Sequence, residues 1–153
     1  MNYIKRNLEK IVSQVTKEYP VLLVTGPRQV GKTTMLQKLM EGTDRSYVSL
    51  DDLNERSIAK TDPELFLQLH KPPVLIDEVQ YAPELFTYIK MNVDKKHEPG
   101  AFWLTGSQAF KLMQGVQESL AGRVAVLSLT SLSQAEISGG DVEPFTIEME
   151  ALA

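Results

Sequence analysis

The 153-residue sequence contains no cysteine, which excludes disulfides, thiolate metal sites and thiol chemistry. It has no amino-terminal signal pattern and no apolar run near the roughly 18 residues of a membrane span, so it predicts a soluble protein of the cytoplasm. Positive charge is also scarce, because 16 basic residues against 20 acidic residues give a net charge of −4. This balance implies no general attraction to nucleic acid and predicts no membrane partner.

The length predicts a single domain, which would bury roughly 68–70% of its unfolded surface in one core. Strand-like apolar segments alternate with helical patterns along the chain. The predicted strands lie at residues 21–24, 46–50, 74–76, 101–105 and 124–129. Strands separated by helices of this length indicate an α/β fold with a parallel sheet covered on both faces.

Capping residues mark the predicted helix starts. Asp52 with Glu55 forms a capping-box pattern, and Asp62 before a proline marks another start. Asp51 and Asp52 could instead form a paired acid site, but capping is the simpler interpretation. The other predicted helices are an amphipathic lead-in helix over residues 1–19, one that carries Met35 and Leu36 and closes at Gly42, one from Pro83, one over 107–120 and one from Ser133 to Gly140.

The segment 26–34 carries the strongest chemical signal. Its letters GPRQVGKTT, which are Gly26, Pro27, Arg28, Gln29, Val30, Gly31, Lys32, Thr33 and Thr34, fit the phosphate-loop pattern GxxxxGK[ST] directly after a strand. The two glycines let backbone N–H groups point inward at a phosphate, and the next helix adds its positive end. Lys32 would reach the β- and γ-phosphates and Thr33 would ligate Mg²⁺. The alternative is a glycine turn with a surface lysine.

A second signal is the acidic pair Asp77 and Glu78, which ends an apolar strand 45 residues after Lys32. Ligands of open parallel sheets lie at the carboxyl ends of the strands, so the pair should lie beside the phosphate loop. Asp77 would hold the metal ion, and Glu78 could polarise a water for attack on the γ-phosphoryl group. The alternative is a pair of acids that begins a loop.

Two weaker candidate sites are also present. One lies where the fourth predicted strand ends, and the other lies just before the fifth. Thr105 or Ser107 could hydrogen-bond the attacking water or the γ-phosphate as a sensor, although Ser107 could equally be the N-cap of the next helix. Arg123 could be a solvated arginine. It could also act on the nucleotide of a neighbouring subunit, as arginines do in some ring ATPases.

Six motifs in order resemble one family. They are GPRQVGKTT, LDD at residues 50–52, DPELF at 62–66, VLIDEVQ at 74–80, FWLTGSQ at 102–108 and SLAGRVA at 119–125. Over essentially the whole chain they resemble the AAA-type ATPase domain of a widespread prokaryotic family that also carries a C-terminal domain of unknown function (DUF4143 type). The resemblance implies a P-loop NTPase with a five-stranded parallel sheet of order 5-1-4-3-2, and ATP and Mg²⁺ as ligands.

The resemblance also implies roles for individual residues. It places Gly31, Lys32, Thr33 and Thr34 in Walker A, Asp77 and Glu78 in Walker B, Thr105 or Ser107 at sensor 1, and Arg123 at the arginine of the SLAGR motif. Residues 1–140 would form the AAA+-like ATP-binding domain, and 141–153 an acidic tail that starts a lid or C-terminal region. Family members continue beyond such a tail. The chain is therefore expected to be the N-terminal ATPase part only, without the lid.

The favoured function is Mg-ATP binding with slow hydrolysis, as an ATP-driven switch or motor domain. One alternative is a nucleotide-binding module or fragment with little turnover, which the missing lid favours. A small-molecule kinase would need a substrate pocket and an arginine-rich lid, and Glu78 suits water activation better. A GTPase is disfavoured because the sequence has no [NT]KxD element. The expected partners are ATP, further copies of the chain through Arg123, and a protein or nucleic-acid target of the missing region.

Overall fold

The computed structural model describes residues 2–27, 31–107, 110–129 and 147–152. The helices are α1 (Asn2–Glu18), α2 (Lys32–Leu39), α3 (Leu53–Thr61), α4 (Pro63–Leu69), α5 (Leu85–Lys96) and α6 (Phe110–Leu120), with a short 3-10 helix at Val79–Tyr81. The strands are β1 (Val21–Thr25), β2 (Ser46–Ser49), β3 (Val74–Asp77), β4 (Phe102–Gly106), β5 (Val124–Leu129) and β6 (Ile147–Leu152).

The six strands form one sheet in the order β2-β3-β4-β1-β5-β6. The first five are parallel, which confirms the predicted α/β fold and the order 5-1-4-3-2. In the central register Val21 pairs with Phe102 on one side and with Val124 on the other. All five residues of β1 are buried, as expected for a strand with parallel neighbours on both sides and helices on both faces.

The sixth strand is an addition to the predicted sheet. β6 pairs antiparallel with β5, so that Leu152 lies opposite Val124 and Ile147 opposite Leu129. No strand was predicted for the acidic tail. A signal for it was available, since residues 147–151 alternate between apolar and acidic types with the period of two that is typical of strands.

The core has two halves because successive strand residues point to opposite faces of the sheet. Val21 and Leu23 pack with the buried residues of α3, α4, α5 and α6. Leu22 and Val24 pack on the other face with buried residues of α1 and α2. The two layers of helices fix the sheet between them, so that its carboxyl edge is built on a rigid core.

Several predicted helix starts can be compared with the structure. The Asp52 carboxylate accepts hydrogen bonds from the N–H groups of Asn54 and Glu55, and the Asp62 carboxylate accepts one from Leu65 N–H, so both predicted caps are confirmed. The fifth predicted helix begins two residues later than Pro83, at Leu85, because a turn precedes it. The predicted helix from Ser133 to Gly140 lies outside the described residues. Among the described helices, none has the length and apolarity that crossing a membrane requires.

Candidate functional site

The candidate site lies at the carboxyl edge of the sheet, where β1, β3 and β4 end. After β1 the chain passes through Gly26 and enters α2 at Gly31. Gly31 has φ +81° and ψ 22°, a left-handed conformation that favours glycine although no atom crowds the position of a Cβ. The entry into α2 therefore requires glycine for its backbone angle. Arg28, Gln29 and Val30 lie outside the described residues, so their predicted contacts with phosphate stay predictions.

Lys32 is the first residue of α2 and is only 2% exposed. Its ammonium Nζ lies 3.7 Å from Oε1 of Glu78. A lysine is buried at this depth only when its charge is compensated. The alternative of a plain turn with a surface lysine is therefore wrong, because the lysine points into the protein toward the acidic pair.

The Asp77 carboxylate is buried and accepts hydrogen bonds from four hydroxyl groups. Its Oδ1 accepts from Thr33 Oγ1 at 2.6 Å and from Thr105 Oγ1. Its Oδ2 accepts from the Tyr47 hydroxyl at 3.2 Å and from Ser49 Oγ at 3.3 Å. Thr33 and Asp77, the two predicted metal ligands, are thus in direct contact.

The chemistry of this donor set fits Mg²⁺. Within the described ranges no group of three or more His, Cys, Asp and Glu side chains forms a metal cage. Magnesium is usually held by one or two carboxylates together with substrate phosphates and water, rather than by protein ligands alone. One carboxylate beside one threonine hydroxyl at the start of a helix matches that arrangement.

Glu78 has an unusual backbone. Its φ of 62° and ψ of 51° lie in the left-handed region, which costs a non-glycine residue about 1–3 kcal/mol. Contacts with described residues hold it there: its N–H donates to Thr105 Oγ1 at 3.1 Å, its Oε1 faces Lys32, and its Oε2 accepts from Gln80 Nε2 at 2.8 Å. Strain of this kind is typical of functional sites, where surrounding contacts impose the conformation.

Thr105 joins the two acids. It is fully buried, and its hydroxyl donates to Asp77 while it accepts from the Glu78 N–H. Ser107 contributes its backbone N–H, which donates to Gln80 Oε1 at 3.3 Å. Of the two sensor candidates, Thr105 is the one whose side chain contacts both acids. The N-cap role of Ser107 stays a prediction, because residues 108–109 are outside the described part of the chain.

Sequence reasoning missed three residues of this site. Tyr47 and Ser49 lie on one face of β2 and reach Asp77 because β2 pairs with β3. Partial burial and the neighbouring Asp77 carboxylate raise the pKa of the Tyr47 hydroxyl above its ordinary value. Gln80 was visible within the VLIDEVQ motif, but nothing in the spacing indicated that its amide would turn back to Glu78.

Arg123 lies at the amino-terminal ends of the parallel strands, on the side of the sheet opposite to the candidate site. Its carbonyl accepts from Val21 N–H at 3.2 Å, so Arg123 is level with the start of β1, whereas the phosphate loop follows the other end. Its guanidinium donates to both Asp94 oxygens, at 2.7 and 3.1 Å, and to Ala121 O at 2.8 Å. The structure therefore does not bring Arg123 to the other site residues of its own chain, and its predicted action on a neighbouring subunit stays a prediction.

The chain is similar to several known proteins. A family model described as an AAA domain (AAA_14) matches residues 18–138. The uncharacterized proteins Mb2031c of Mycobacterium bovis and Rv2008c of Mycobacterium tuberculosis are each 35% identical over 119 residues, which cover 77% of this chain and 26% of the relative. The chain thus spans about a quarter of the length of these curated relatives. Among solved structures, the DnaC helicase loader matches with a TM-score of 0.45 and 17% identity, over 78% of this chain and 88% of that one.

Proposed function

This chain belongs to the AAA domain family, and we propose that it binds Mg-ATP at residues 26–34 and hydrolyses the nucleotide slowly, as an ATP-driven switch or motor domain. The observation that carries the proposal is the buried Lys32 at the start of α2, which faces Glu78 at the end of β3. A phosphate at this loop would give the lysine a second anionic partner. The positive end of α2 would add to the attraction.

The hydroxyl and carboxylate pair of Thr33 and Asp77 supports the magnesium part of the proposal. These two residues would hold Mg²⁺, which would neutralise charge on the phosphates when bound. Tyr47, Ser49 and Thr105 orient the carboxylate by donating to its oxygens. Asp77 is therefore held in one orientation before any ligand arrives.

Glu78 is the candidate general base. Its carboxylate is buried beside Lys32 at the edge where the γ-phosphate would lie, and it could accept a proton from a water molecule there. A protein that only binds nucleotide does not need a base at this position. Thr105 fixes the backbone of Glu78 and also contacts Asp77, so it is the residue that we propose as sensor 1.

A second candidate function, a binding module with little turnover, is favoured by one observation. Both oxygens of the Glu78 carboxylate are already engaged, Oε1 by Lys32 and Oε2 by Gln80. A base that is engaged in this way is less available to water. If Lys32 keeps its contact with Glu78 in the nucleotide complex, the chain would bind ATP without efficient hydrolysis.

We also propose partners for the chain and a location in the cell. Self-association would let Arg123 of one copy complete the site of the next, and its position on the far edge of the sheet is compatible with that role. A protein or nucleic-acid target and a C-terminal domain of DUF4143 type follow from the resemblance and stay predictions. So does location in the cytoplasm.

The test is the rate of Mg-ATP hydrolysis per chain, measured as protein concentration is raised, with Lys32→Ala as the blank at every concentration. A rate above the blank supports hydrolysis, and a rate that climbs with concentration supports a site completed between subunits. A rate equal to the blank, together with ATP binding by calorimetry, would leave only the binding module. Absence of both binding and turnover would reject the site.

A further inference from the structure

The Gln80 side chain connects two strand ends. Gln80 belongs to the 3-10 helix that follows Glu78, and its amide turns back so that Nε2 donates to Glu78 Oε2 at 2.8 Å. Its Oε1 accepts from the backbone N–H of Ser107 at 3.3 Å. The single amide group thus links the candidate base at the end of β3 to the backbone just after β4.

The end of β4 is shaped to admit this amide. A Cβ on Gly106 would lie 3.1 Å from Gln80 Oε1 and 2.6 Å from Leu112 Cδ2, and the second distance is shorter than real Cβ contacts. Glycine at this position lets the Gln80 amide and the Leu112 side chain pack directly on the strand end. The amide is therefore confined by packing as well as by its two hydrogen bonds.

Lys32 and Gln80, which both contact the Glu78 carboxylate, differ in what else they can bind. Lys32 would share its charge with phosphate, so its contact with Oε1 is the one that a nucleotide would weaken. The Gln80 amide is neutral, and its carbonyl oxygen accepts from the Ser107 N–H. It is therefore attracted to phosphate much less than the Lys32 ammonium is. The contact at Oε2 would therefore persist when the contact at Oε1 is lost.

We propose that Gln80 is the positioning residue for Glu78. It holds Oε2 against the end of β4 and so fixes the orientation of the Glu78 carboxylate when Lys32 turns to phosphate. This inference rests on the proposed function, because it assigns a partner to the base of the proposed hydrolysis. It also links the orientation of Glu78 to the segment that contains both sensor candidates.

The decisive variants are Gln80→Met, which keeps the length of the side chain and removes both hydrogen bonds, and Gln80→Glu, which keeps an acceptor for Ser107 but has no donor for Glu78. Gln68→Met is the matched control, since Gln68 is exposed on α4. Three quantities are measured: ATP affinity by calorimetry, amide hydrogen exchange of Ser107 in the ligand-free protein, and kcat with KM for Mg-ATP hydrolysis.

We expect Gln80→Met to bind ATP within about twofold of the parent, to exchange the Ser107 amide faster, and to lose at least about tenfold in kcat at unchanged KM, because misplacing a reacting group by about 1 Å can cost about a hundredfold. Gln80→Glu should keep Ser107 protected and still lose kcat. This separation distinguishes orientation of Glu78 from general loosening of the strand end. If Gln80→Met does not fold, Gln80→Asn replaces it, because its shorter side chain cannot span both partners.

Unchanged kcat in folded Gln80 variants, in a parent that hydrolyses ATP, would overturn the inference and leave the proposed function intact. A loss confined to affinity or KM would also overturn it, because it would place Gln80 in ligand binding. A parent rate no higher than the Lys32→Ala blank would reject the proposed hydrolysis, and the positioning role with it. The two failures therefore give different results.

Discussion

Lys32 and Glu78 form a buried ion pair across the candidate site, with 3.7 Å between Nζ and Oε1. The lysine opens the helix after β1 and the glutamate follows β3, two strands that are separated in the sheet by β4. Each charge compensates the burial of the other. An anionic ligand that binds at the loop must compete with the Glu78 carboxylate for the Lys32 ammonium.

The first prediction concerns Lys32→Ala. The variant should lose measurable affinity for ATP by calorimetry, because the buried ammonium is the side-chain cation that the proposal places against the β- and γ-phosphates. Lys38→Ala is the control, since Lys38 lies exposed on the same helix and should leave affinity unchanged. Equal affinity in the parent and Lys32→Ala would remove the phosphate site from residues 26–34.

The second prediction concerns Glu78→Gln. This variant should keep ATP bound and reduce hydrolysis by about a hundredfold or more, the usual contribution of a general base. Binding should hold or improve, because Lys32 no longer faces a competing carboxylate. The matched control is Glu118→Gln, an exposed position on α6. Turnover equal to that of the parent would exclude Glu78 as the base.

The third prediction separates the two sensor candidates. Thr105→Val removes a hydroxyl that serves Asp77 and the Glu78 N–H, so the free energy of unfolding in urea should fall by about 1–3 kcal/mol. Hydrolysis should fall as well. Ser107→Ala keeps the backbone N–H that donates to Gln80, so both quantities should change little. The reverse ranking of the two variants would make Ser107 the sensor.

The fourth prediction concerns pH and Tyr47. Partial burial and the Asp77 carboxylate raise the pKa of this hydroxyl in the folded protein above its value of 10.0 in the unfolded chain. A group with a raised folded pKa contributes stability below its unfolded pKa and loses that contribution as pH rises through the folded pKa. The parent should therefore lose more stability than Tyr47→Phe as pH rises above about 10.

The measurement for Tyr47 is an ultraviolet titration of tyrosinate in the parent and in Tyr47→Phe, together with urea unfolding of both at several alkaline pH values. The difference between the two titrations isolates one hydroxyl, which should ionise above pH 10.0. Ionisation at or below that value would contradict the contact between Tyr47 and Asp77.

The fifth prediction concerns Arg123 and its partner Asp94. If Arg123 acts on a neighbouring subunit, Arg123→Ala should remove the part of the hydrolysis rate that rises with protein concentration. Asp94→Asn should preserve or increase that part, because it removes the ion pair that holds the guanidinium to its own chain. A protein that stays monomeric with ATP and Mg²⁺ at high concentration would exclude the role for this chain.

Prediction from sequence succeeded where chemistry is local. The phosphate-loop pattern spans eight residues, and the strand before it and the helix after it both form as predicted, because the same short stretch of chain fixes them. The caps at Asp52 and Asp62 are equally local, because an N-cap bonds N–H groups two or three residues ahead. β6 was missed although its alternating pattern was present. The segment is short and acidic, and this composition is also typical of a polar tail.

The sequence by itself determined the glycine turn before α2, the acidic pair that ends β3, and the family to which these motifs point. Only the tertiary structure decided which partners these groups have. Tyr47 and Ser49 reach Asp77 through the pairing of β2 with β3, and Gln80 reaches Ser107 because β3 pairs with β4. The physical reason is register: spacing along the chain fixes which residues come after a strand, whereas the sheet alone fixes which strand ends lie side by side.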